Sequence, residues 1–209
     1  MSALWRALGL CACTPFYPQW LSTRRALPDS TRYVALDYPE TGRNLYGARP
    51  YVFADATCLP FADASVDTLI SSEVIKHVRD PDAMLAEITR ALKPVGRAYL
   101  SMPFLYQIQD APHDYQRWTR HGWARSAAGV RLEALRIEAS SRAIETAAIL
   151  GCLAIAGPLQ GRPAWRALVA ATFAIPMITL INLTGWTLAR VWPDWGAMSA
   201  GLHIELFKR

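Results

Sequence analysis

Cysteine is scarce in this chain, and its spacing argues against the two common uses of clustered cysteine. The 209 residues include four cysteines, Cys11, Cys13, Cys58 and Cys152. None of them forms the C-x-x-C spacing of a zinc site or a thioredoxin-like site. Cys11 and Cys13 also lie too close in sequence for an ordinary disulfide pair. We therefore expect a reduced, cytoplasmic protein without a metal site.

Charged residues are also few, since they make up 19% of the sequence against 52% hydrophobic residues. An average soluble domain is less apolar than this. The net charge of +5 is compatible with anionic partners without requiring them, and no nucleic-acid partner is predicted. The first apolar run is interrupted at Trp5 and Arg6, so we expect no signal peptide. There are no internal repeats, and the chain 1–209 is predicted to form a single domain.

The chain contains four short apolar runs and one amphipathic segment. Short apolar runs at Thr31–Asp37, Tyr51–Ala54, Val66–Ser71 and Arg97–Met102 are bounded by turn signals, which is typical of buried parallel strands. Pro81–Leu92 carries apolar residues at helical spacing. This order predicts an α/β protein with a parallel sheet that binds ligands at the carboxyl ends of its strands.

Three short motifs connect this pattern to a known family. They are Asp55 with Leu59–Phe61, the turn Glu73–His77, and the turn Lys93–Gly96. In combination they resemble the core of a class I S-adenosylmethionine-dependent methyltransferase of the type 11 group, over about Arg32 to Trp123. The resemblance implies a Rossmann-like sheet, mostly parallel, with an antiparallel last strand. It also implies S-adenosyl-L-methionine as the cofactor.

Two further segments match the strands that close the sheet in that family. Arg131–Ser141 and Gly201–Lys208 both alternate apolar and polar residues. The fold class is therefore a mostly parallel sheet with a hydrophobic helical insertion before its final strand.

The resemblance assigns cofactor-binding roles to residues at the strand ends. Asp37 would accept hydrogen bonds from the ribose hydroxyls, although a strand-end acid that faces solvent is the alternative. Asp55 would accept the adenine amino group, and Ala56 would donate a backbone hydrogen bond to the ring. Ser72 and Glu73 would flank the cofactor.

Three positions depart from, or extend, the family pattern near this site. His77 would either contact the acceptor or order the loop in which it lies. Lys76 replaces an acid of the family, which predicts a charge reversal at the lip of the pocket. Val95 replaces a glycine, and a positive φ there would strain a β-branched residue unless the turn is of another type.

The aromatic-rich stretch Pro103–Trp123 follows a strand end, where ligand-binding loops are expected. His113 is a candidate base for a hydroxyl or amine acceptor, and Asp114 is a candidate to orient it or to bind substrate. Tyr115 and Arg117 are candidate substrate-binding residues. The alternative is a self-bonded loop in which Asp114 pairs with Arg117.

The first strand lacks the glycine-rich turn that the family places against the cofactor. Alignment puts Cys11–Cys13 where a glycine-x-glycine sequence would lie, so side chains would occupy the space of the methionine end. Either the motif is altered, or the true first strand is absent and this segment is unrelated.

The segment 143–192 is a hydrophobic helical insertion. Thr146–Gly161 and Ala167–Ala189 carry no charge, and about 20 apolar residues can cross a bilayer as a helix. We expect a hairpin that dips into one leaflet or lies on it, at the inner face of a membrane. The alternatives are a two-pass anchor, helices packed on the domain, and a dimer interface. Side chains suited to a membrane interface lie within the insertion or just after it: Arg162, Trp165, Arg166, Trp186, Arg190, Trp192 and Trp195.

These expectations give one main functional hypothesis and two alternatives. The first is methyl transfer from S-adenosyl-L-methionine to an unknown small-molecule or lipid-like acceptor. The second is a catalytically degenerate methyltransferase fold that serves as a binding or membrane-associated module. A dinucleotide oxidoreductase also has an acid after its second strand, but the Asp55–Phe61 loop and the Lys93–Gly96 turn argue against it.

Overall fold

The computed structural model describes residues 10–13, 32–39, 51–159 and 163–209, with 10–13 described as backbone. In chain order, its elements are β1 (Leu10–Cys13), β2 (Tyr33–Asp37), β3 (Val52–Phe53), β4 (Val66–Ser72), a 3₁₀ turn (Ile75–His77), α1 (Pro81–Ala91), β5 (Leu92–Pro103), α2 (Arg120–Gly129), β6 (Leu132–Ala139), α3 (Ala143–Ala156), a second 3₁₀ turn (Gly157–Leu159), α4 (Ala164–Val191) and β7 (Gly201–Lys208).

The chain divides into two compact units. The first takes its described residues from 1–103, 110–138 and 203–209, and contains the sheet. The second consists of 104–109 and 139–202, and contains α3 and α4. These two helices fall within the predicted insertion 143–192, while the single domain over 1–209 stays a prediction.

The sheet has seven strands in the order β3-β2-β1-β4-β5-β7-β6. β1 pairs in parallel with β2 and with β4, and the pairs β2–β3 and β4–β5 are also parallel. β7 runs against β5, because Lys208 at the end of β7 donates to the carbonyl of Leu92 at the start of β5 at 2.6 Å, while Glu205, earlier in β7, contacts Tyr99, later in β5. The predicted fold class is confirmed, and the strand order reverses between β1 and β4, where such sheets bind ligands.

Helix α1 covers the sheet through one apolar face. Met84, Leu85 and Ile88 are almost completely buried, as their helical spacing predicts. The helix begins at Pro81 because the carboxylate of Asp80 accepts the Ala83 N–H at 2.9 Å and caps the first turn. This packing fixes the loops at the carboxyl ends of the neighbouring strands.

The segment Cys11–Cys13 forms strand rather than a turn. Its three residues pair in register with β2 on one side and with β4 on the other. The alternative in which the first strand is absent is therefore wrong, and so is the alignment of Cys11–Cys13 with the glycine-rich turn. The turn after β1 lies outside the described residues.

Val95 lies in a bulge at the start of β5. Val66 pairs with Leu92 and Thr68 pairs with Arg97, so the four residues 93–96 lie opposite the single residue Asp67 and β5 has three extra residues here. Val95 has φ of 62° and its side chain is 72% exposed. The expected strain at this position is therefore present, and burial of the side chain does not compensate for it.

In the second unit, α3 and α4 form an antiparallel hairpin. A Cβ atom on Gly185 would lie 2.6 Å from Cβ of Ala148, so a glycine is needed for this close approach. One turn farther, Gly151 faces Ile181. At the base of the hairpin, the guanidinium of Arg142 donates to the carbonyls of Ala189 and Trp192.

Among the described residues, one helix has the length and composition to cross a membrane. It is the 24-residue stretch Leu168–Val191, whose most apolar window is 11% buried. The shorter apolar stretch Ala143–Leu159 precedes it.

Candidate cofactor and acceptor site

Strand register brings the predicted cofactor-binding residues to one edge of the sheet. Asp37 pairs with Phe53, and Ser72 pairs with Ser101. Cys13 pairs with the residue before Asp37 and with the residue before Ser72. Asp37 and Ser72 therefore flank the end of β1, roughly 10 Å apart, since two interstrand spacings separate them.

Asp37 lies at the tip of β2, with its side chain partly buried. Its Oδ1 accepts the N–H of Tyr38 at 2.8 Å, and its carbonyl accepts the N–H of Ala54 at 3.0 Å. Burial raises the pKa of the Asp37 carboxyl, and the hydrogen bond from Tyr38 opposes this rise. A partly buried carboxylate beside the switch point fits a ribose diol.

Asp55 and Ala56 form a tight turn directly after β3. Asp55 Oδ1 accepts both the N–H and the hydroxyl of Thr57 at 2.8 Å, and the Asp55 carbonyl accepts Cys58 N–H at 3.0 Å. The exposed Asp55 carboxylate is thereby held in one orientation. This fixed orientation suits its predicted role as an acceptor for an adenine amino group.

The loop that follows is anchored to α1. Glu87 accepts the Leu59 N–H at 2.8 Å, and Arg90 donates to the carbonyls of Phe61 at 2.8 Å and Leu59 at 3.1 Å. Glu87 and Arg90 also form an ion pair at 2.8 Å. The motif Leu59–Phe61 therefore has a structural role, because its hydrogen bonds to α1 help to fix the position of the preceding Asp55 turn.

Ser72 and Glu73 belong to a hydrogen-bond network between the ends of β4 and β5. The hydroxyls of Ser72 and Ser101 lie 3.0 Å apart, and the Ser101 hydroxyl donates to Glu73 Oε1 at 3.2 Å. Glu73 has φ of 62°, a conformation that a non-glycine residue adopts at a cost. Ser101 was missed by the sequence analysis, because nothing in a strand pattern shows which residue lies beside Ser72.

Lys76 is fully buried and does not lie at the lip of a pocket. Its ammonium donates to Glu73 Oε2 at 3.0 Å, and its side chain has 0% exposure. The predicted charge reversal at the pocket lip is therefore wrong. The lysine instead stabilises the carboxylate of Glu73 within the fold, since a buried cation requires such an ion pair.

His77 contacts the loop Asp110–Arg117, which contains the candidate acceptor-binding residues. Its Nδ1 lies 2.7 Å from the carbonyl oxygen of His113, so Nδ1 carries the proton that is donated. Its Nε2 lies 3.8 Å from Asp110 Oδ2. Burial lowers the pKa of the His77 ring, and the hydrogen bond to His113 opposes this effect. This geometry agrees with the loop-ordering role.

His113 is exposed, and its ring pairs with a neighbouring tyrosine. His113 Nδ1 lies 3.0 Å from the hydroxyl of Tyr115, which also accepts from Arg79 Nε at 3.3 Å. When the hydroxyl accepts from His113 Nδ1, the lone pair lies on Nε2, where a general base requires it. The two residues therefore form a unit, and the tyrosine can set the tautomer of the histidine.

Asp114 and Arg117 form a bidentate ion pair, with Arg117 Nη2 2.6 Å from Asp114 Oδ2. The Asp114 side chain is 2% exposed. This is the pairing that the self-bonded interpretation of the loop predicts. The roles of Asp114 as a catalytic residue and Arg117 as a substrate-binding residue stay predictions.

The same loop is tied to the 3₁₀ turn Ile75–His77 by a residue that the sequence analysis missed. The amide of Gln116 donates to the carbonyls of Ile75 at 2.7 Å and Val78 at 3.1 Å. The backbone N–H of Tyr115 donates to the Lys76 carbonyl at 2.9 Å. A glutamine in an aromatic-rich loop gives no sequence signal of this role, because its partners are backbone atoms.

In the described part of the chain, no group of three His, Cys, Asp or Glu residues is arranged to hold a metal ion. The side chains that are present fit the nucleoside half of S-adenosyl-L-methionine, with Asp37 for the ribose and Asp55 with Ala56 for the adenine. The fold is an α/β fold with a Rossmann-like, mostly parallel sheet, and these side chains lie at the edge where such sheets bind nucleotide cofactors.

Comparison with known proteins gives the family. Residues 12–100 match the family model described as methyltransferase domain. An uncharacterized methyltransferase of Mycobacterium sp. (strain JLS) is 51% identical over 51 residues, which are 24% of this chain and 20% of that protein. The ubiquinone/menaquinone biosynthesis C-methyltransferase UbiE of Francisella tularensis subsp. tularensis (strain FSC 198) is 41% identical over 76 residues, which are 34% of this chain and 30% of that protein.

A solved structure extends the likeness in fold to most of the chain. The S-adenosylmethionine dependent methyltransferase from Mesorhizobium loti superimposes with a TM-score of 0.56 at 11% identity, and the match covers 98% of this chain and 92% of that one. The chain spans a fifth to less than a third of the two curated relatives above. Residues 12–100 therefore carry a methyltransferase domain that is similar to those of the class I S-adenosylmethionine-dependent enzymes.

Proposed function

We propose that this chain binds S-adenosyl-L-methionine and transfers its methyl group to a small, lipid-like acceptor. The observation that carries the proposal is the placement of Asp37 and Ser72 on either side of the end of β1, at the point where the strand order reverses. The turn Asp55–Ala56 follows the neighbouring strand β3 and adds a second carboxylate at the same edge.

The cofactor, when bound, supplies an electrophilic methyl group, so the chain's own residues mainly orient the reactants and remove a proton. Asp37, Asp55 and Ala56 would hold the nucleoside, and the network of Ser72 and Glu73 would shape the wall beside it. His113 would accept a proton from a hydroxyl or amine acceptor through Nε2. His77 would act as a positioning residue, because it binds the carbonyl of His113.

The lipid-like nature of the acceptor has two supports. The first is the segment shared with a relative whose name places it in ubiquinone/menaquinone biosynthesis. The second is the apolar character of α3 and α4. A cytoplasmic location follows from the expected reduced state of the cysteines.

Calorimetric titration with S-adenosylhomocysteine tests the proposal. The samples are the wild-type chain in mild detergent, Asp37→Ala, Asp55→Ala and the control Asp67→Ala, whose carboxylate pairs with Lys93 at 2.8 Å. We expect Asp37→Ala and Asp55→Ala each to weaken binding by roughly 10-fold or more, as the loss of a hydrogen bond to a charged group does. Asp67→Ala should bind like the wild type.

The alternative, a fold that has lost its catalytic role, predicts a different result. A folded wild-type chain that does not bind S-adenosylhomocysteine would overturn the methyltransferase proposal. If binding is intact, methyl transfer to quinone-like acceptors should be lost in His113→Gln and retained in His121→Gln. The second variant is a control because His121 lies on α2, after the loop Asp110–Arg117 that carries His113.

A further inference from the structure

Helix α4 carries the largest set of exposed apolar side chains in the described part of the chain. Along it, Phe173 is 73% exposed and Leu180 is 60% exposed, and both Leu168 and Val191 are exposed near its ends. At 100° per residue, the exposed apolar positions cover well over half of the circumference of the helix. The remaining arc packs against α3 through Gly185 and Ile181.

This distribution excludes a helix that lies flat on a membrane surface. A helix in the plane of the interface needs a charged or strongly polar face opposite its apolar face. Between residues 167 and 189 there is no charge on any face of α4. An uncharged, mostly apolar helix belongs in a protein core, in a protein interface or in a bilayer, and its exposure in this chain argues against the first.

The threonine hydroxyls on α4 are satisfied within the helix itself. The hydroxyls of four threonines donate to carbonyls three or four residues earlier, at 2.7 to 3.0 Å. These residues are Thr172, Thr179, Thr184 and Thr187. Hydrocarbon offers no hydrogen-bond partners, so internal satisfaction is what a bilayer requires. A soluble protein partner or water would not require it.

The contact between α3 and α4 is also of a type found between helices in lipid. Small residues at Gly185, Ala148 and Gly151 allow close approach of the two backbones. Together the two helices present one continuous apolar hairpin, because α3 carries no charge after Glu145.

Interfacial residues mark both ends of this hairpin. At the base, the guanidinium of Arg190 stacks 3.2 Å from the ring centre of Trp186, and Arg142 donates to the last carbonyls of α4. In the sequence, Arg162 and Arg166 come shortly before the apolar stretch Leu168–Val191. Leu168–Val191 is roughly 36 Å long, against about 30 Å for the hydrocarbon of a bilayer.

We infer that the hairpin α3–α4 inserts into a lipid bilayer tip first, as an antiparallel helical pair. Three features favour a bilayer over a second copy of the chain or another protein as the surroundings of the hairpin. They are the length of the uncharged stretch, the threonine hydroxyls that are satisfied within the helix, and the arginines near its ends. The inference goes beyond the proposed methyl transfer and does not depend on cofactor binding.

The first test is flotation of the full chain with vesicles of phosphatidylcholine and phosphatidylglycerol. We expect the wild type to float and to stay bound after an alkaline carbonate wash. Leu180→Lys places a charge at the middle of α4 and should lower the floating fraction severalfold. Leu135→Lys is the matched control, since Leu135 is 46% exposed on β6, and it should float like the wild type.

The second test measures immersion directly, with a membrane-impermeant maleimide and mass spectrometry of the labelled peptides. In vesicles, a cysteine introduced by Phe173→Cys should be protected while the exposed native Cys58 is modified in the same sample. Equal labelling of the two sites would overturn the inference. Wild-type chain that is folded, as judged by circular dichroism, but does not float would also overturn it, as would a stable dimer that protects position 173 without lipid.

Discussion

At the scale of single residues, backbone conformation identifies a position where the sequence reduces stability. Val95 adopts φ of 62° while most of its side chain is in solvent. A left-handed conformation costs a β-branched residue about 1–2 kcal/mol, and glycine avoids this cost. The greater freedom of glycine in the unfolded chain offsets part of the gain.

We therefore expect Val95→Gly to raise the free energy of unfolding by about 1 kcal/mol, as measured by urea denaturation. Leu135→Gly, in the exposed part of β6, is the control and should lower it, because that strand has no positive φ to relieve. A Val95→Gly variant that is less stable than the wild type would contradict the assigned strain.

The pair of Glu73 and Lys76 gives a second prediction at this scale. Removing the carboxylate with Glu73→Ala leaves the ammonium of Lys76 buried without this ion pair, which costs about 3–5 kcal/mol. The double variant Glu73→Ala, Lys76→Met removes the charge as well and should recover most of that loss. Urea denaturation of the wild type, the single variant and the double variant measures both effects. Equal destabilisation in the single and the double variant would show that the buried charge is not the cause.

At the scale of elements, the loop from Asp110 to Arg117 depends on the protonation of His77. The pKa of this ring is lowered in the folded state, so the unfolded chain takes up a proton first as the pH falls. The contribution of neutral His77 to the free energy of unfolding is therefore fully present above about pH 6.5. It is lost as the pH falls toward the pKa of His77 in the folded state.

Unfolding measured between pH 8 and pH 5 should show this loss in the wild type and a smaller one in His77→Gln. His203→Gln, on the exposed face of β7, is the matched control and should keep the wild-type pH dependence. If both variants lose stability as steeply as the wild type, another group is responsible.

The elements themselves were largely predictable from the sequence, because hydrophobic periodicity depends on local burial. β7 has its predicted bounds, β4 is one residue longer than predicted, and α1 ends one residue earlier. β3 is shorter than the predicted Tyr51–Ala54, because the turn that begins at Asp55 ends the pairing.

The candidate site was less predictable, because its geometry depends on contacts between distant residues. A motif position can assign Glu73 to a pocket wall, but periodicity cannot show that Lys76 folds back onto it. The same limit applies to Ser101 and Gln116, whose partners lie on other elements. The strain at Val95 was predictable, because Val95 replaces a glycine of the family, and a glycine in a turn often indicates a positive φ that strains a β-branched residue.

At the scale of the whole molecule, charge and apolar surface act on membrane binding in different ways. The net charge is +5, and arginines lie at both ends of the apolar hairpin. Electrostatic attraction to anionic lipids is screened by salt, whereas the transfer of apolar surface out of water is not.

We therefore expect anionic vesicles to bind more chain than neutral vesicles at low salt, in the flotation assay described above. Chain that has already bound should stay bound at high salt, because insertion holds it. A chain that is released completely by salt would be held by surface charge alone, and the hairpin would then not be inserted.

The position of β7 in the sheet has a consequence for the order of events during synthesis. β6 lies at the edge of the sheet, and its one neighbour there is β7, which also separates it from β5. The ribosome completes α3 and α4 before it makes β7, so the apolar hairpin emerges while β6 still lacks its partner. If the hairpin inserts as inferred, membrane targeting can begin on the nascent chain, before β7 is made and the sheet is complete.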